Sequence, residues 1–140
     1  MLLSLLLMLA CETATSTSYK TCSLNTPALA PASAMPGEQV VLTAQPLTEV
    51  WDTAVTVGAA RAELVEVDRS TCDDCDDCRD TGGCSSCDDC EDCATPCDTC
   101  VQTLTFIVPD LGAGEWPVEI VNRHGRSERV LLTVLAVPTP

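Results

Sequence analysis

Nine of the chain's eleven cysteines lie between Cys72 and Cys100. Cys72, Cys75, Cys78, Cys84, Cys87, Cys90 and Cys93 share one three-residue lattice that skips only Thr81, and Cys97 and Cys100 follow one residue out of phase. The spacers are acidic: Asp73 and Asp74, Asp76 and Asp77, Asp88 and Asp89, Glu91 and Asp92. Three chemistries suit these residue types. Tandem C-x-x-C pairs offer thiolates at a separation fit for tetrahedral zinc or for copper(I). The carboxylates offer oxygens to calcium, which takes six to eight of them. Oxidised cysteines would cross-link a stretch that has almost no apolar side chains to bury.

Each chemistry meets a physical objection or support. Neighbouring carboxylates disfavour thiolate, the metal-binding form of cysteine. No histidine lies in the cluster, and no C-x-x-C is followed by His, which excludes a c-type haem site. Asp-Asp-Cys lacks the alternating ligands, central Gly and terminal Glu of an EF-hand loop. A solvated charge run is the plainer account of the carboxylates. A period of three matches the turn of a polyproline II or 3₁₀ segment, so lattice cysteines would line one face. Segments around Cys72–Cys78 and Cys84–Cys93 could turn back at Gly82-Gly83 and zip together through disulfides. A low-complexity stretch without one structure is the alternative.

The compartment bears on that choice. The chain opens with an apolar run of signal-peptide length, Met1 to Ala10, followed directly by Cys11. Ala10-Cys11 resembles a bacterial lipobox, in which the cysteine is lipidated and becomes the mature N-terminus. The departures are Met8 where Leu is usual and no basic residue before the apolar run. The resemblance implies a signal peptide over 1–10, lipidation at Cys11 and a polar tether over 11–25. Glu12 after the cysteine implies outer-membrane placement. Export permits disulfides, and Cys22 with the nine clustered cysteines makes an even set of ten.

Formal net charge is −14, and the span from Cys72 to Cys100 carries −9 of it. A nucleic-acid footprint would be basic, so nucleic acid is not an expected partner. A polyanionic loop attracts cations and basic partners instead. No catalytic constellation stands out, and an enzyme is not expected. The only histidine, His124, sits in Asn122-Arg-His-Gly125, which reads as a hairpin turn with a solvated imidazole. Trp51 and Trp116 read as core or edge residues before they read as ligand-stacking aromatics.

About ninety residues remain outside leader, tether and cluster, enough for one small core. They alternate with the period of strands. Val40, Leu42 and Ala44 share a face, as do Val55 and Val57, then Leu104, Phe106 and Val108, then Val118 and Ile120, then Val130, Leu132 and Val134. Turn signals separate them: Pro36-Gly37, Gly58, Pro109-Asp110, Gly112-Ala-Gly114 and Asn122–Gly125. Short strands between regular turns predict an all-β, two-sheet sandwich.

The order of these pieces resembles an IPT/TIG domain, an immunoglobulin-like module. Pro27 to Leu42 is similar to its proline-rich first strand, Pro-Gly turn and second strand. Ala54–Val67 resembles its strand–glycine–strand segment, and Leu104–Pro109 the strand that ends in Val-Pro. Gly112–Asn122 and Val130–Val137 resemble its glycine turn and closing strands. The resemblance covers residues 26–137 and implies an immunoglobulin-like β-sandwich. It departs where the family has a short turn: residues 68–101 stand there as a Cys/Asp-rich insertion.

Together these readings describe an exported, lipid-anchored bacterial envelope protein, non-enzymatic, with no cofactor. Its partners would be the membrane, through the lipid, and a protein or glycan at the cell surface. The competing reading is capture of zinc, copper or calcium by the insertion.

Overall fold

The computed structural model describes residues 23–70 and 101–138. In that range the strands are β1 (Ala28–Ala30), β2 (Ser33–Ala34), β3 (Gln39–Thr43), β4 (Ala54–Val57), β5 (Ala60–Arg61), β6 (Glu63–Asp68), β7 (Thr103–Ile107), β8 (Gly114–Asn122), β9 (Gly125–Arg126) and β10 (Val130–Val134). One sheet has the order β1-β3-β7-β6 and the other β2-β10-β8-β4-β5, with β9 beside β8. Lettered as immunoglobulin strands, the first sheet is A-B-E-D and the second is G-F-C with a short strand added at each edge, β2 beside β10 and β5 beside β4. The all-β sandwich expected from the alternation is therefore the observed fold, in immunoglobulin order.

The chain's entry links the two sheets. β1 pairs antiparallel with β3 in the first sheet. Pro31 and Ala32 then carry the chain across, and β2 pairs parallel with β10 in the second sheet. The Thr133 and Leu135 amides donate to the Ala32 and Ala34 carbonyls at 3.0 and 2.9 Å.

Alternation places the core as the sequence predicts. Val40, Leu42, Leu104 and Phe106 from the first sheet are fully buried, opposite Val55, Val57, Val118, Ile120 and Leu132 from the second. Leu131, one step out of phase with Leu132, lies on the exposed outer face. β6 breaks the simple rule. Its register against β7 shifts between Leu64 and Glu66, a β-bulge. The extra residue lets Leu64 and Val67, three apart, both pack against the core.

Gly58 turns β4 into β5 with φ +59°, and an added Cβ there would lie 2.7 Å from Trp116 Cε3. Both the left-handed backbone and the close approach of the indole exclude a side chain. Trp116 packs half-buried beside the core, and its Nε1 donates to the Gly112 carbonyl at 2.9 Å.

Candidate functional site

The cysteine and carboxylate candidates lie outside the described residues. These are Cys11, Cys22, Cys72, Cys75, Cys78, Cys84, Cys87, Cys90, Cys93, Cys97 and Cys100, with Asp73, Asp74, Asp76, Asp77, Asp88, Asp89, Glu91 and Asp92. What is described is the pair of stems from which the clustered residues depart. β6 and β7 are adjacent and antiparallel, with Asp68 opposite Thr103. The Cys/Asp-rich stretch thus leaves and re-enters at neighbouring points on one end of the sandwich.

That end is built from three connections held together by side chains. The first joins β3 to β4. Its backbone makes one 3₁₀ turn, Val50–Asp52, in which the Asp52 amide donates to the Glu49 carbonyl at 2.9 Å. Thr48 and Thr53, both buried, close the base of this loop. The Thr53 hydroxyl donates to the Thr48 carbonyl at 3.0 Å, which leaves it to accept from the Thr48 hydroxyl at 2.8 Å. Threonine suits both places because its hydroxyl can replace a backbone partner in an irregular loop.

The second connection is the pair of stems. Arg69 Nη2 reaches Glu49 Oε1 at 2.8 Å, and the Arg69 side chain is largely buried while that of Glu49 is exposed. Gln102 is fully buried. Its backbone carbonyl accepts the Ala44 amide at 3.3 Å, and its Oε1 accepts the Leu47 amide at 2.5 Å. A buried amide side chain is tolerated here because it satisfies a loop N–H that has no strand partner. The third connection is the turn after β8. Asn122 Nδ2 donates to the Pro46 carbonyl at 3.0 Å, while Asn122 Oδ1 accepts the His124 amide at 2.9 Å.

Two expectations from sequence change at this end. His124 does lie in a turn, but it is buried, at 7% exposure, and not solvated. The turn folds back against the β3–β4 connection through Asn122, which removes the imidazole from water. Trp51 is neither core nor edge. It is 80% exposed on the 3₁₀ turn, with Val50 beside it also exposed. The threonine pair and the stem contacts fix the backbone beneath Trp51, and its neighbours leave the indole uncovered.

A second polar feature lies on the outer face of the β8 sheet and was not apparent in the sequence. Glu119 points away from the core between Val118 and Ile120, yet its side chain is only 10% exposed. Arg126 Nη1 meets Oε1 at 2.8 Å and Arg129 Nε meets Oε2 at 3.1 Å. Hydrogen bonding to Arg126 is the main cause of a carboxyl pKa below its ordinary value, opposed by burial and aided by Arg129. Both guanidinium side chains are 70% exposed. The only hint in sequence was the arginine-rich Arg123–Arg129 stretch following Glu119. Among the described residues no group of three or more His, Cys, Asp or Glu side chains is placed to hold a metal.

Fold and end geometry define an immunoglobulin-like sandwich with a tied loop end. No protein-family model matches the chain, and no curated protein matches it. Among solved structures it is similar to SGBP-B from a complex xyloglucan utilization locus in Bacteroides uniformis, at 15% identity and a TM-score of 0.48. The match covers 81% of this chain and 23% of that one, so the chain spans under a quarter of that protein's length. A likeness this distant says nothing of what the loop end would bind.

Proposed function

We propose that the protein is a non-enzymatic, lipid-anchored envelope module of the IPT/TIG kind that presents a binding end to a partner at the cell surface. The observation that carries this reading is the tied loop end. Three connections are joined by buried side-chain hydrogen bonds, and an uncovered tryptophan stands on the result. A rigid sandwich that positions exposed loop residues is a general way to place a binding surface. The leader ending at Ala10-Cys11 and the polar tether after it support anchoring at the mature N-terminus. The stems of the Cys/Asp-rich stretch are tied to the same end through Arg69 and Gln102.

Metabolic labelling with palmitate, followed by detergent partition of the wild-type protein and of Cys11→Ser, tests the anchor. Label on the wild type and none on the variant is expected, and a mature N-terminus well downstream of Cys11 overturns it. Thiol titration of non-reduced, denatured protein tests the display role. Few reactive thiols are expected, since export supplies oxidant. Nine or ten thiols together with stoichiometric zinc or copper would replace display with metal capture.

A further inference from the structure

We infer that the partner of the Trp51 end is the lipid surface to which the chain is anchored, with the indole seated among zwitterionic headgroups. The inference rests on the reading of the chain as lipid-anchored at Cys11 and names the surface that the loop end meets.

Two observations carry it. The first is where the chain enters the sandwich. β1 runs antiparallel to β3 with Ala28 opposite Thr43, so the chain arrives at the end from which the β3–β4 connection departs. Asn25 is fastened to that connection twice. Its amide donates to the Gln45 carbonyl at 2.8 Å, and its Oδ1 accepts the Gln45 amide at 2.8 Å. The same connection carries Val50 and Trp51. Asn25 stands fourteen residues after Cys11, a reach of at most about 50 Å. The last strand leaves from the opposite end, with Val134 beside Gly114, about 30 Å away along the nine residues of β8. An anchor at Cys11 therefore tethers the sandwich by its Trp51 end.

The second observation is what this end exposes. Trp51 is 80% exposed on a turn pinned by its own backbone and threonine hydrogen bonds. Val50 beside it is exposed, and so is Val101 on the stem that Gln102 ties to Leu47. An indole joins a large apolar body to a single N–H donor, and tryptophan is enriched where hydrocarbon meets headgroups for that reason. The described charges around it nearly balance, Glu49, Asp52 and Asp68 standing against Arg69, Arg123 and Arg126. Such an end meets zwitterionic headgroups without repulsion, whereas the chain's net −14 opposes an anionic surface. Three apolar side chains would hold a bilayer only weakly by themselves. A covalent lipid makes that contact intramolecular, at high effective concentration. A soluble partner gains nothing from the point at which the tether enters.

The test uses the full-length lipidated protein in phosphatidylcholine vesicles whose acyl chains are brominated near the headgroup, with unbrominated vesicles as the reference. Bromine quenches only tryptophan that reaches it. Trp116 is half-buried at the opposite end, bonded to Gly112 and packed against Gly58, and serves as the internal control. The inference expects the wild type to lose emission on brominated vesicles and Trp51→Phe to lose none. Acrylamide should also reach Trp51 less readily in the vesicle-bound wild type than in Cys11→Ser protein in solution. Trp51 is exposed, so Trp51→Phe should stay folded, and an unchanged melting temperature checks that. Equal quenching of wild type and Trp51→Phe, or quenching of neither, overturns the inference when the protein carries the palmitate label, and leaves the anchor standing. A Trp51 that bromine leaves untouched but a soluble polysaccharide or peptide shields from acrylamide also overturns it, while leaving the end a binding surface for that partner. Absence of the palmitate label removes the anchor and the inference together.

Discussion

Phe106 is the residue on which the sandwich reading can be tested most sharply. It is fully buried at the centre of the first sheet, with Val40 opposite it on β3 and Leu64 on β6. A phenylalanine buries roughly 150–200 Å², so complete burial is worth about 4–5 kcal/mol at ~25 cal/mol per Å². Measured Phe→Ala losses of about 3–5 kcal/mol agree with that. A body of this size has a total stability of roughly 4–13 kcal/mol. Phe106→Ala is therefore expected to unfold a large fraction of the molecules. Phe106→Leu keeps the site filled and loses the transfer energy of two to three carbons, about 2 kcal/mol. Thr105→Ala, on the outer face of the same strand, should cost under about 0.5 kcal/mol. Urea titration followed by far-ultraviolet circular dichroism reads these differences. With a slope near 1–1.5 kcal/mol per molar for a small domain, Phe106→Leu should lower the midpoint by about 1.5–2 M and Thr105→Ala by less than about 0.5 M. Equal midpoints for the two variants would refute the assignment of the Phe106 face to the core.

Three further outcomes are expected. Joining Ser70 to Val101 leaves Arg69, Ser70, Val101 and Gln102 as a four-residue connection between β6 and β7, a common hairpin length; because the deleted stretch has almost no apolar side chains to bury, the shortened protein should melt cooperatively with a β-sheet spectrum, and an unfolded product would show that the cluster belongs to the core. Gln102→Leu keeps the volume but strips the acceptor from the buried Leu47 amide, so it should cost about 1–3 kcal/mol, read as a drop in melting temperature that Gln102→Glu does not reproduce in the same way at low pH, where its acid again offers a neutral carbonyl. Glu119 has a folded-state pKa below its ordinary value, so its ion pairs contribute fully above the unfolded value near 4.3 and are lost as pH falls through the folded value; Glu119→Gln should make the melting temperature less dependent on pH below about 4.3, and an unchanged acid limb would show that the arginine contacts are not formed in solution.

Much of the sandwich was legible in the residues. Period-two alternation is a direct consequence of side chains pointing to opposite faces of a strand, so Val40–Ala44, Leu104–Val108 and Leu132–Val134 could be assigned faces without coordinates. Where a strand departs from regular pleating the sequence was silent. The bulge in β6 puts Leu64 and Val67 on one side, and three-residue spacing reads from sequence as noise. The face of β8 also misled: Glu119 looked like an ordinary outward carboxylate, yet Arg126 and Arg129 cover it, and that cover depends on the turn after β8 bringing them back across the strand.

The candidate site divides the same way. The cysteine lattice, its acidic spacers and the apolar run before Cys11 are facts of the sequence, because spacing and charge need no folding to be read. The burial of His124, the exposure of Trp51 and the tying of the cluster's stems by Arg69 and Gln102 were decided by tertiary structure. A turn signal specifies that the chain reverses but not what it reverses against. Asn122 docks the β8 turn on Pro46 and so hides a histidine. The β3–β4 connection is folded on its own threonines, and so holds an indole out to solvent. Contacts between residues 55 or 76 positions apart exist only once both sheets have formed, and no local pattern in the chain encodes them.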